Sequence, residues 1–200
     1  LRAAARSCGR TELVGHWWKH RSHSTGTWLA VGRQDDCPVA LCVDWTGRLS
    51  GLPRLPPVRR QVRQVACSSG MGQPTLWWAL ELDGRLWQGS SRGWSRPKLP
   101  PLRTISASST HALAVDLDGQ GWGRGRGKCA AVALGRKGWK RWGRLSCPVP
   151  LRTADAGMYA TALLDRHGGV WTCGENLWEQ LGQGVCYSDM RVQPVPTRLL

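Results

Sequence analysis

SSTHALAVDLDGQGWGRG, residues 108–125, decides the fold. The run from His111 to Val115 is apolar and composed of small or β-favouring residues. It ends in Asp118-Gly119, and a second short run carrying Trp122 follows. Asp-Gly supplies the positive φ that a tight hairpin turn demands. The stretch therefore reads as strand, turn, strand.

Working outward, the same device recurs. Gly47, Gly84, Gly119 and Gly168 each follow an apolar run. Three residues before each stands an acid: Asp44, Glu81, Asp116 and Asp165. Four residues before each stands an aliphatic: Val43, Leu80, Val115 and Leu164. Three residues after comes Trp87, Trp122 or Trp171, with Ser50 in the first and most divergent copy. A further glycine follows each time: Gly51, Gly89, Gly123, Gly174. A second marker, Pro-x-Arg, begins at Pro57, Pro101, Pro150 and Pro196, in steps of 44, 49 and 46 residues. The expected plan is about four repeats near 46 residues each, spanning 25–57, 58–101, 102–150 and 151–200.

Between the hairpins, VRQVACSS, LRTISASS and LRTADAG read as further strands whose small residues let sheets approach closely. Each repeat is then a small antiparallel sheet with one Trp to bury, too small to stand alone, so the sheets must stack. Radial stacking of such sheets is a β-propeller; a tandem solenoid is the other arrangement. No segment keeps a 3.6-residue apolar period, so long helices are not expected.

Residues 108–125 resemble the regulator of chromosome condensation repeat. The segment Gly174-Glu175-Asn176 through Gln180-Leu181-Gly182 is similar to that family's G-x-N-x-x-x-Q-L-G, and Pro194–Pro196 to its closing proline pair. The resemblance covers residues 60–200 well and 25–60 poorly; the second copy lacks the G-x-N…QLG segment. It implies an all-β, β-propeller-like array, usually of seven blades, of which this chain supplies about four. The array is then a small closed propeller, an arc whose bare edges a partner covers, or part of a larger ring. Some members of that family are guanine-nucleotide exchange factors for a small GTPase, or chromatin-associated; others are scaffolds. The fold alone does not transmit the exchange activity.

Composition adds a charge argument. The 200 residues carry 28 Lys and Arg against 13 Asp and Glu, a net charge of +15, which favours polyanionic partners. There are 13 Trp and no Phe. Ile105 and Asn176 are the sole residues of their types, and Arg far outnumbers Lys. A coding sequence poor in A and T gives the same bias, which discounts part of the Trp and Arg count. No stretch approaches the roughly 20 apolar residues of a membrane helix.

Eight cysteines form no C-x-x-C and no zinc-finger spacing. Their spacing does not follow the repeat, so buried free thiols are expected. The chain opens at Leu1, which reads as a fragment or a processed product. Residues 1–24 hold Arg2, Arg6, Arg10, Lys19 and Arg21 against Glu12. This is the composition of a mitochondrial transit segment or its remainder, or of a basic arm that contacts nucleic acid. His16, His20 and His23 would share one face if that arm were helical, a weak indication of metal.

No catalytic set is found, and no enzyme activity, cofactor or metal is expected. GQGWGRGRG (119–127) has dinucleotide-like glycine spacing, but it sits on a Trp-containing strand with no helix after it. His111 reads as a repeat-position histidine bonded within its blade, and Asp116 and Asp165 as acids bonding turn backbone. The candidate site is a basic tract. From Gly119 to Ala154 there is no Asp or Glu. Arg124, Arg126, Lys128, Arg136, Lys137, Lys140, Arg141 and Arg144 fall there, with Trp139 and Trp142 interleaved. Cations pair phosphates and flat rings stack on bases. A solvated loop beside two core tryptophans accounts for the same residues.

The expected function is a non-catalytic propeller scaffold binding RNA, and other protein subunits, in a ribonucleoprotein assembly such as a mitochondrial ribosome. The alternative is a nuclear regulator of a small GTPase.

Overall fold

The computed structural model describes residues 19–21, 28–34, 37–44, 46–51, 56–58, 61–68, 75–125, 139–177, 179–183 and 192–199. For 19–21, 28–34, 37–40, 139–140, 192 and 194 it describes the backbone alone. Among the described residues there is no helix, so none long and apolar enough to cross a membrane. The strands form four four-stranded antiparallel sheets. They fall into two compact units, Leu1–Pro100 and Pro101–Leu200, each with two sheets.

The first sheet comprises β1 (Lys19–Arg21), β2 (Trp28–Gln34), β3 (Cys37–Val43) and β4 (Leu49–Ser50), and the second β5 (Val62–Ser68), β6 (Leu76–Glu81), β7 (Leu86–Ser90) and β8 (Gly93–Ser95). The third comprises β9 (Leu102–Ala107), β10 (His111–Asp116), β11 (Gly121–Gly125) and β12 (Trp139–Arg144). The fourth comprises β13 (Leu151–Ala156), β14 (Ala160–Asp165), β15 (Val170–Glu175) and β16 (Val192–Arg198). In every sheet the strands pair in chain order, the meander of a propeller blade.

Register shows which copies are true repeats. Ala112 pairs Ala107 in the third sheet and Thr161 pairs Ala156 in the fourth, and both sheets carry a bulge at the start of their first strand. The second sheet has the same bulge, between Val62 and Gln64. The first sheet differs. Its β3 and β4 match β10 and β11, but its extra strand β1 joins at the opposite edge, beside β2. β1 lies within the stretch assigned above to the basic arm.

The Pro-x-Arg marker needs correcting. Pro101 and Pro150 stand immediately before β9 and β13. The structural counterpart in the second sheet is Gln61-Val62-Arg63, without proline, and Pro196 lies inside the outer strand β16. What the first strand requires is an aliphatic to bury, Val62, Leu102 or Leu151. In a chain rich in Pro and Arg, the other two matches are incidental. The acid–glycine turn is the true phase marker.

Alternation along the strands builds the core. In the first unit Leu41, Val43 and Leu49 pack against Val62, Val65, Trp77 and Ala79 of the next sheet. In the second unit Leu113 and Val115 pack against Leu151, Ala154, Ala156, Leu163 and Cys173. Burying a side chain such as Leu113 contributes ~1.5–3 kcal/mol. A backbone bond adds to each junction: Val62 N–H donates to the Gly47 carbonyl at 3.0 Å, and Leu151 N–H to the Gly119 carbonyl at 2.8 Å.

Candidate functional site

The acid–glycine turn is the best-built local structure. At the third turn Gly119 N–H donates to the Asp116 carbonyl, Asp116 N–H donates to the Gln120 carbonyl, and Gly119 has φ +94°. This is a three-residue loop in which glycine takes the left-handed bulge position. Asp118 keeps a negative φ, so the expected tight Asp-Gly turn is corrected to this wider form. A Cβ on Gly119 would meet the Leu151 carbonyl at 3.0 Å.

The acid closes the loop. One Asp116 carboxylate oxygen accepts from the N–H groups of Asp118 (3.1 Å) and Gln120 (2.8 Å), and the other from Trp122 Nε1 (2.9 Å). Asp165 repeats this with His167, Gly169 and Trp171, at 2.8, 2.8 and 2.9 Å. Glu81, one carbon longer, takes Trp87 Nε1 at 3.1 Å, while Asp83 receives the turn N–H of Arg85. Hence the repeat tryptophans are half-buried and tied by their N–H groups, where a buried core Trp was expected. Among the described residues the fully buried indole is Trp78.

The outer strands complete a stack that the sequence reading missed. Arg144 pairs Trp122 across β11 and β12, and its guanidinium lies 5.5 Å from the ring centroid. Arg96 stands over Trp87 at the same distance, and Arg198 pairs Trp171 in register. Acid, Trp and Arg thus recur together in the last three sheets; the signal was an Arg at or just after the end of the outer strand.

The basic tract divides. Arg126, Lys128, Arg136 and Lys137 lie outside the described residues, and Trp139 and Lys140 are described as backbone of β12. Arg124 is half-buried, and burial lowers the pKa of its guanidinium. Trp142 is half-buried, its indole nitrogen sealed from solvent without an acceptor among the described residues. Arg141 and Arg144 are exposed on this edge strand. The structure therefore brings Arg141, Trp142 and Arg144 to one sheet edge, with Trp142 turned inward and Arg124 on the neighbouring inner strand β11. The turn glycines Gly47, Gly84, Gly119 and Gly168 all have positive φ.

His111 links two sheets, which corrects its assignment to bonds within one blade. It is buried, with Nε2 2.9 Å from Thr161 Oγ1 of β14 and Nδ1 2.9 Å from Thr110 Oγ1. Thr110 Oγ1 also donates to the Met158 carbonyl, and Ser106 Oγ donates to Asp155 at 2.6 Å. These are structural bonds of a sheet junction. The G-x-N…QLG segment folds back on β15: Asn176 Oδ1 accepts from Leu181 N–H, and Thr172 Oγ1 donates to the Leu181 carbonyl.

Cys67 and Cys147 are free thiols, and burial pushes Cys67 up to about 12. Cys8, Cys129, Cys186, His16 and His23 lie outside the described residues. Among the described residues no three His, Cys, Asp or Glu stand together as a metal site.

No family model and no curated protein matches the sequence. Solved structures do match the fold. Human WBSCR16 superposes with a TM-score of 0.63 at 16% identity, over 82% of this chain and 49% of that one. Prp20p of Saccharomyces cerevisiae, described with its binding to Gsp1p and histones, gives 0.61 at 15%, over 80% and 46%. Yeast RCC1 (Prp20) bound to Kap60 gives 0.63 at 17%, with the same shares. The fold is thus of the regulator-of-chromosome-condensation type, an all-β array of four propeller blades. The chain spans about half the length of the structures it matches.

Proposed function

We propose that this chain is a non-catalytic propeller scaffold whose basic outer edge binds RNA within a ribonucleoprotein assembly of the mitochondrion, the compartment that the composition of residues 1–24 supports. One observation carries the reading: Arg141 and Arg144 are exposed on β12, an edge strand inside a stretch free of acids, in a chain of net charge +15. Exposed arginines on an edge strand can pair phosphates and release counterions.

The test is binding of the whole chain to a labelled 20-nucleotide single-stranded RNA, followed by anisotropy between 50 and 200 mM salt. Affinity should fall by about tenfold or more across that range. R141E/R144E should weaken binding at every salt concentration and reduce the slope, and R141E alone, which leaves the Arg144–Trp122 stack in place, should do so in part with the melting temperature retained. Salt-independent binding, or an unchanged double variant, would sink the proposal. Accelerated nucleotide release from a small GTPase, without RNA binding, would favour the exchange-factor alternative.

A further inference from the structure

The turn of the fourth sheet departs from its counterparts in charge. Leu82-Asp83-Gly84 in the second sheet and Leu117-Asp118-Gly119 in the third become Arg166-His167-Gly168 in the fourth. A leucine and an acid give way to two basic residues, both exposed.

Arg166 reaches back over the third turn. Its Nη2 donates to the Leu117 carbonyl at 3.0 Å, and Arg103 Nη2, from β9, donates to the same oxygen at 3.1 Å. Arg166 Nη2 also lies across Gly119, 3.1 Å from where a Cβ would stand. The two Nη2 atoms are thus at most two hydrogen-bond lengths apart, on side chains that are both exposed. Among the described residues Arg103 and Arg166 form no ion pair, unlike Arg85 with Asp83 of the second turn. The acids that head the third and fourth turns, Asp116 and Asp165, are buried and occupied by turn N–H groups and indoles.

A neutral carbonyl orients two guanidiniums without neutralising them. It takes one N–H from each, and a guanidinium carries five in a rigid planar fork. Two like charges gathered this closely, with donors left exposed, match an anion of about two charges with several oxygens. Near neutral pH a phosphomonoester has that charge and three acceptor oxygens. We propose that Arg103 and Arg166 form a phosphomonoester-binding site at the turn end of the junction between the third and fourth sheets. The site lies on β9, across the third sheet from the β12 edge, and does not rest on the RNA reading of that edge.

A phosphomonoester can arrive on a free nucleotide or at the 5′ end of an RNA, so the test has two arms. At about 150 mM salt, where the general field of the basic chain is screened, the whole chain is titrated with fluorescein-labelled adenosine 5′-monophosphate against labelled adenosine. It is also titrated with a labelled trinucleotide, pUUU, against UUU without the 5′ phosphate. The phosphate-bearing member should bind at least about tenfold more tightly. A preference confined to the first arm names a free nucleotide as the source, and one confined to the second names an RNA end. Arg166→Leu restores the residue of the second and third turns, and Arg103→Gln keeps a donor for the Leu117 carbonyl. Each should erase the preference with the fold retained by circular dichroism, whereas R141E/R144E should leave it intact. No preference in either arm, or a preference that survives both Arg166→Leu and Arg103→Gln, overturns the proposal.

Discussion

The third and first turns use the same acid at the same place and reach different depths of structure. Asp116 is buried, spans two backbone N–H groups, and uses its second oxygen for Trp122, on which Arg144 rests. Asp44 is exposed; it takes Thr46 N–H, the Thr46 hydroxyl and Arg48 N–H, and its reach ends there, because Ser50 stands where the indole would be. The difference teaches what the tryptophan is for. It converts a local turn cap into a link between turn, third strand and outer strand. Where the indole is lost, as in the first sheet, no outer strand of the β12 type occurs among the described residues.

The contrast is open to direct attack. Asp116→Ala should have the largest effect, ~2–3 kcal/mol, because it leaves three part-buried donors without a charged acceptor. Asp44→Ala, exposed to water, should cost less than ~1 kcal/mol. Urea denaturation of both variants measures the pair, and equal losses would erase the distinction. Trp122→Phe keeps most of the ring and removes one hydrogen bond, so about 1 kcal/mol is expected, with Ser50→Ala near zero.

The smallest effect should appear in acid. The Trp171 indole N–H, with the Gly169 and His167 backbone groups, holds the Asp165 carboxyl below its usual range, against the opposing pull of burial. A carboxyl depressed in the folded state adds stability above its unfolded pKa, about 3.9, and loses it as pH falls through the folded value. The melting temperature should therefore drop below about pH 4. Trp171→Phe should shrink that drop, which thermal melts from pH 6 to 2.5 would detect.

Much of this was legible in the residues. The acid, glycine and Trp at fixed offsets marked the hairpins, because a positive φ and a buried carboxylate each demand a narrow choice of residue. The small residues of LRTISASS and LRTADAG announced close packing between sheets. Pro-x-Arg misled at Pro57 and Pro196, because neither proline nor arginine is required where the first strand begins. The junction bonds of His111 were out of reach, since Thr161 lies in another repeat and only the fold brings them together. The edge position of the basic tract also depends on strand order, which no single stretch encodes; nor could charge alone reveal that Trp142 turns inward.

The bond from Gly47 and from Gly119 to the next sheet has an evolutionary consequence. Gly47 reaches Val62 across a short connection, whereas Gly119 reaches Leu151 across β11, β12 and the long segment between them, yet both junctions close on the same carbonyl and the same kind of amide. Sheet-to-sheet geometry is therefore independent of how much chain is spent at the rim. Residues can be added or removed there without disturbing the stack, so the rim is where copies of this repeat are free to diverge in length and acquire separate tasks.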